Sequence, residues 1–168
     1  MSLANLSREL LTRKSMKKTH EEAASLNLDR FLPYLIYRVT AQTAAAAGAE
    51  YAAWGIGVRE ARVLLIMLSR EGIGAGELSN AACVEASALS HMLRQLAAKK
   101  LIRRVRRPDE RRSVQVFLTK TGAVIARKCH VLSVDQQRHY LAGLSGAEVE
   151  ALRQSLRHIA ANLSISPS

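Results

Sequence analysis

Six arginines surround a single proline in the stretch from Leu101 to Gly122: Arg103, Arg104, Arg106 and Arg107 precede Pro108, and Arg111 and Arg112 follow it. A guanidinium stays charged at any working pH, and its planar fork of donors fits a phosphate or the edge of a guanine. Only Asp109 and Glu110 offset these charges locally. The chemistry offered is therefore recognition of a polyanion, although the same charges also suit a solvated edge hairpin protected from aggregation. A second polar set lies just upstream. Ser87, Ser90, His91, Arg94 and Gln95, with the small Ala88 among them, are short or hydrogen-bonding side chains of the kind that enter a major groove and meet base edges or phosphates.

The elements that must position these groups follow from periodicity. Leu89, Met92, Leu93 and Leu96 recur at helical spacing within Glu85 to Lys99, which places them on one inward stripe and the polar set on the opposite face. A shorter helical element, Glu77 to Ala82, precedes it after the glycine-rich turn Glu71 to Gly76, and Cys83 and Val84 make a tight connection, with Cys83 read as a small buried residue. Downstream, Leu101 to Arg107 and Ser113 to Thr119 read as two strands, the second alternating Val114, Val116 and Leu118 against Ser113, Gln115 and Phe117. Pro108 starts the turn between them, and its charged tip must face water or phosphate. Two helices and then a basic hairpin is the order of a winged helix-turn-helix.

The resemblance this order carries is to the MarR family of transcriptional regulators. It rests on Val63 to Leu68 in a helix ahead of the motif, Glu77-Leu78-Ser79 opening it, Ala88 to Leu96 as the recognition helix, Leu101-Ile102-Arg103-Arg104, the tip Asp109 to Arg112, and Leu118-Thr119-Lys120-Thr121-Gly122 closing the wing. Together these span Gly57 to Gly122, and flanking helices extend the likeness over most of the chain. The resemblance implies a homodimer bound to a pseudo-palindromic operator in double-stranded DNA and often released by a small molecule. It also implies an acidic wing position paired with Arg111, filled by either Asp109 or Glu110. Lys100 stands where the family commonly has a helix-ending glycine. Gly57 and Val58 stand where a capping Thr or Ser often starts a helix, which predicts a looser start there.

Composition narrows the alternatives. A formal net charge of +11 in 168 residues points to nucleic acid or an acidic surface. No run of about eighteen apolar residues is available to span a bilayer, and the basic residues Arg8, Arg13, Lys14, Lys17 and Lys18 interrupt any signal-peptide core, so a cytoplasmic protein without a membrane partner is expected. Two cysteines, Cys83 and Cys129, are too few for a disulfide framework. His20, His91, His130, His139 and His158 are scattered without metal-ligand spacing. No nucleophile elbow, phosphate-binding loop or paired carboxylates appear. The expectation is a protein with no catalytic residues, metal or cofactor, and no enzymatic activity.

The fold class expected is mainly α with a small β wing, a winged helix-turn-helix core carrying N- and C-terminal dimerisation helices. Residues 1–27 read as a flexible basic arm, 28–56 as one long helix, 57–122 as the DNA-binding lobe and 123–168 as C-terminal helices. In the long helix Phe31, Leu32, Leu35, Ile36 and Val39 form an apolar stripe. A helix from Thr121 to Ala142 follows the wing, then Ser145-Gly146-Ala147-Glu148 reads as a capping box. After it Val149, Leu152, Leu156, Ile159 and Leu163 step by three and four, a surface for a partner helix or for the chain's own core. The aromatic residues are 4% of the chain, and Tyr34, Tyr37 and Trp54 with Arg38 and Arg62 are candidates to hold an aromatic or lipophilic effector. The reading is a sequence-specific regulator, expected to be a repressor. Against it stands a constitutive architectural DNA-binding protein or a winged helix used as a protein-interaction module.

Overall fold

The computed structural model describes residues 27–106 and 114–163. By its contacts the chain divides into two compact units, Met1–Thr43 and Ala44–Ser168.

In the first unit a 3-10 turn, Leu28–Arg30, precedes helix α1, Leu32–Ala53, which continues into the second unit. The single helix expected from Leu28 is thus broken at Phe31, whose backbone is extended. Pro33 is the reason: it has no N–H to give to a carbonyl four residues back, so the helix begins with proline in its first turn instead of running through it. Asn27 caps the 3-10 turn by accepting from the Asp29 amide at 3.0 Å. Phe31, Leu32, Ile36 and Val39 of the apolar stripe are exposed and Leu35 is half-buried.

The second unit packs helix α2, Val58–Ser69, the two-residue strand β1, Ile73–Gly74, helix α3, Ala75–Ala82, helix α4, Ala86–Ala98, strands β2, Ile102–Arg106, and β3, Val114–Leu118, and helices α5, Lys120–Tyr140, and α6, Gly146–Asn162. Val63 and Leu64 of α2, Leu78 of α3, Leu89 and Leu96 of α4 and Val116 of β3 are sealed from solvent to within 2%. The sheet is antiparallel in the order β1-β3-β2, with Ile73 opposite Val116 and Arg104 opposite Val116 on its other side. The expected hairpin therefore gains a third strand. Gly72 enters it at φ +70, and a Cβ there would lie 2.8 Å from the Phe117 ring, so glycine is required twice over.

The helix that closes the lobe, α5, starts almost in contact with β2. Thr119 caps it by accepting from the Gly122 amide at 3.0 Å, while its own hydroxyl donates to the Lys100 carbonyl at 2.7 Å. A Cβ on Gly122 would be built into the Leu101 carbonyl. Further along α5, Cys129 is fully buried, and burial pushes its thiol up to about 11, which keeps it protonated and unreactive. Cys83, expected inside, is exposed. It ends α3 in the left-handed conformation at φ 51, and the turn's burial falls to Leu78 and Ala82.

The end of α4 shows how the chain manages without the family's glycine. The Lys100 amide donates to the Ala97 carbonyl and the Leu101 amide to the Leu96 carbonyl, both at 2.9 Å, which is a complete Schellman closure with buried Leu96 and Leu101 at its two ends. Lys100 takes the left-handed position at φ 57, a strained one for a residue with a Cβ. Lys100→Gly is expected to stabilise the fold by about 1 kcal/mol, read as a higher midpoint in urea unfolding with an unchanged slope.

The start of α2 is not loose. Gly57 has no side chain to cap it, but the Glu60 carboxylate accepts the Gly57 amide at 2.8 Å, half of a capping box. At α6 both halves form, with Ser145 Oγ accepting from the Glu148 amide; the Glu148 carboxylate accepts from the Ser145 hydroxyl at 2.7 Å and from the Ser145 amide at 2.8 Å, and these two bonds hold its carboxyl below the usual range. No residue of α6 is buried within the chain.

Candidate nucleic-acid interface

Helix α4 is fixed by one face. Leu89, Met92, Leu93 and Leu96 are all buried, and at about 1.5–3 kcal/mol for each such side chain they anchor the helix without help from the other side. Ser87, Ala88, Ser90, His91, Arg94 and Gln95 are all exposed on that other side. The turn before α4 is rigid: Ser79 Oγ donates to the Val84 carbonyl at 2.5 Å and the Val84 amide to the Ser79 carbonyl at 3.1 Å. The helix thus projects a row of polar side chains from a hydrogen-bonded turn.

The wing's first strand is tied to this helix by a residue that the sequence reading left among the general basic charge. Arg104 donates from Nη2 to the Ser90 carbonyl at 3.3 Å, on the same side of β2 as the buried Ile102. Counting by twos from Ile102 along the strand would have found it. Arg103, on the opposite face, lies 4.3 Å from the centre of the Phe117 ring it is paired with across the sheet. Arg106 closes the described part of β2 opposite Val114. Arg107, Asp109, Glu110, Arg111 and Arg112 lie outside the described residues, and with them the acidic wing position.

A second feature lies between Trp54, just after α1, and helix α5. Trp54, Val124, Val131 and Leu132, with Arg127, Lys128 and Asp135, line an open groove of about 570 Å³. Tyr51 packs on Trp54 with ring centres 5.9 Å apart, and Lys128 Nζ stands 5.8 Å from the Trp54 ring centre. Of the five candidate effector residues, Trp54 is in this groove. Tyr34, Tyr37 and Arg38 form their own cluster in the first unit, with ring centres 6.5 Å apart and the Arg38 guanidinium 5.8 Å from the Tyr34 ring centre. Arg62 is exposed on α2. Val149, Leu152, Leu156 and Ile159 lie along α6 and Leu163 at its C-cap, with Leu152, Leu156 and Leu163 43%, 47% and 66% exposed. Among the described residues no three His, Cys, Asp or Glu side chains gather as a metal site, and no helix is long and apolar enough to cross a membrane.

A buried helix pair joined by a left-handed turn, with its second helix presenting polar side chains beside a three-stranded basic sheet, defines a winged helix-turn-helix protein. Residues 58–114 match the profile of the MarR family. The chain is 31% identical over 99 residues to the HTH-type transcriptional regulator TtmR of Methylorubrum extorquens, covering 58% of this chain and 48% of that protein. It is 33% identical over 84 residues to the multiple antibiotic resistance protein MarR of Escherichia coli, 49% of this chain and 58% of that one. The match thus spans about half the length of these relatives. Among solved structures, a MarR-family transcriptional regulator from Silicibacter pomeroyi superimposes with a TM-score of 0.75 at 29% identity, over 83% of this chain and 94% of that one. A mutant of E. coli MarR complexed with operator DNA superimposes with a TM-score of 0.68 at 28% identity, over 76% of this chain and 92% of that one. The fold is that of a winged-helix protein, and over residues 58–114 the chain is similar to the MarR family.

Proposed function

We infer that the protein is a sequence-specific DNA-binding transcriptional regulator, a repressor that acts as a homodimer on a pseudo-palindromic operator and is released by a small aromatic or lipophilic effector. The observation that carries this reading is the outer face of α4. Five hydrogen-bonding side chains, Ser87, Ser90, His91, Arg94 and Gln95, stand exposed on a helix locked from behind, and Arg104 holds the basic wing beside them. In this reading the helix enters the major groove and specifies sequence. Arg106, Arg107, Arg111 and Arg112 anchor the wing on the flanking minor groove or its phosphates, with Asp109 or Glu110 bracing Arg111. A mutant of the E. coli relative is complexed with operator DNA, which supports an operator as the partner.

Two copies are required because a pseudo-palindrome presents half-sites about 34 Å apart, beyond the reach of one recognition helix. The apolar residues left exposed along α1, and Val149, Leu152, Leu156, Ile159 and Leu163 along α6, are the surfaces that a second copy would cover. The effector seat is the groove beside Trp54, where apolar walls and the Arg127 and Lys128 cations suit a flat, acidic, largely apolar molecule. Tyr34, Tyr37, Arg38 and Arg62 are secondary candidates for the same role.

The test is selection of duplexes from a random library, followed by titration of the enriched duplex against unselected DNA over a range of salt concentrations. The expected result is competitor-resistant binding of two protomers per duplex, with affinity falling steeply as salt rises. Weak binding indifferent to sequence would make the protein architectural, and no binding would make the winged helix a protein-interaction module.

A further inference from the structure

Glu60 is the one buried charged side chain among the described residues, 7% exposed. A carboxylate in that position costs several kcal/mol unless it is paired and hydrogen-bonded, and its partners show what it joins. Lys99 Nζ lies 2.8 Å from both Oε1 and Oε2, and the Gly57 amide donates to Oε2 at 2.8 Å. Lys99 is the C-cap of the recognition helix α4. Gly57 is the N-cap of α2 and ends the short turn that begins at Trp54, the residue that walls the groove. One carboxylate therefore holds the end of the DNA-facing helix and the segment beside the groove, using both oxygens.

We propose that Glu60 is a positioning residue that couples the pose of α4 to the Trp54–Gly57 turn, so that operator engagement and the environment of Trp54 change together. The proposal rests on the DNA-binding reading given above. The geometry supports a mechanical link because neither end can slide freely. Gly57 is followed directly by α2, whose Ala61, Val63 and Leu64 are buried, and Ile56 beside it is 4% exposed. On the other side Lys99 is followed by the strained Lys100 cap and by buried Leu101. Movement at one end is passed to the other or else breaks a bond to a buried charge, and breaking it is the costlier course.

The chain contains a single tryptophan, and it is Trp54, so tryptophan emission reports the surroundings of this residue and no other. The experiment titrates the full-length protein and its Glu60→Gln variant with the duplex enriched by selection and with unselected DNA, following tryptophan emission and affinity, with circular dichroism confirming that each protein is folded. Glutamine keeps the size of the side chain and an oxygen for the Gly57 amide and loses the charge that holds Lys99. The expected result is a change of emission when the wild type binds the selected duplex, loss of that change in Glu60→Gln, and a fall of about tenfold in the variant's preference for selected over unselected DNA.

If Glu60→Gln fails to fold, Lys99→Gln tests the same link from the exposed end and is expected to lose the same signal. An emission change that persists in the folded variant, or none in the wild type, overturns the proposal. So does an equal gain of affinity for both DNAs, which would mean that Glu60 merely withholds Lys99 from phosphate. Failure of the wild type to enrich any duplex would refute the DNA-binding reading itself and this inference with it, an outcome distinct from the others.

Discussion

Gly122→Ala is expected to be the most damaging small substitution in the protein, lowering stability by about 3 kcal/mol, or roughly 10 °C in melting temperature. The added methyl would be built into the Leu101 carbonyl, which is backbone and cannot swing aside. That carbonyl is also in use: it accepts the Thr119 amide at 3.0 Å and lies 3.2 Å from the Thr119 hydroxyl. Relieving the clash means separating α5 from the end of α4 and breaking the Thr119 cap. Thermal unfolding by circular dichroism checks it, with Gly146→Ala as the control, because a Cβ there meets nothing within 4 Å. Equal melting temperatures for the two variants would show that α5 can shift without cost.

Arg94→Ala is expected to weaken binding to the selected operator by about 1–3 kcal/mol, roughly tenfold to a hundredfold, while leaving affinity for unselected DNA nearly unchanged. Arg94 lies on the exposed face of α4, whose inner face is bound into the core by Leu89, Met92, Leu93 and Leu96, so its removal costs the fold little. Its value therefore lies outside the chain. If it reads a guanine bidentately, the loss concentrates on sequences that carry that guanine. A uniform loss on every DNA, with the salt dependence reduced by about one, would make it a phosphate anchor instead. Competition titrations with the selected duplex and single-base variants separate the two.

The parts of this fold legible in the sequence are those where one physical demand fixes several positions at once. Four large apolar residues at helical spacing define α4 and, by exclusion, its polar face. Ser145 and Glu148 mark the start of α6 because a capping box needs those two types three apart. The parts that escaped are those in which one residue answers to a distant one. Strand β1 is two residues inside a glycine run, too short to alternate, and exists because Ile73 finds Val116. Cys83 reads as core because it is small and apolar, yet the left-handed cap it forms leaves it at the surface.

The candidate site divides in the same way. The face of α4 is local and could be read, whereas Arg104 reaches Ser90 only once β2 is laid across the helix. The groove beside Trp54 depends on how α5 passes the end of α1. The Glu60–Lys99 pair joins residues 39 positions apart, and no pattern in either segment announces the other.

Helix α6 has one further implication. It is held by its cap and by exposed pairs such as Arg153 with Glu150 at 3.2 Å, and among the described residues nothing covers its leucines. A helix of that length is marginal in water by itself, so on the homodimer reading its order depends on the second copy. Thermal stability then becomes a function of how much protein is present. On that reading abundance in a cell would set the fraction of molecules with an ordered α6 as well as the occupancy of any binding site, so a fall in synthesis would act on both at once.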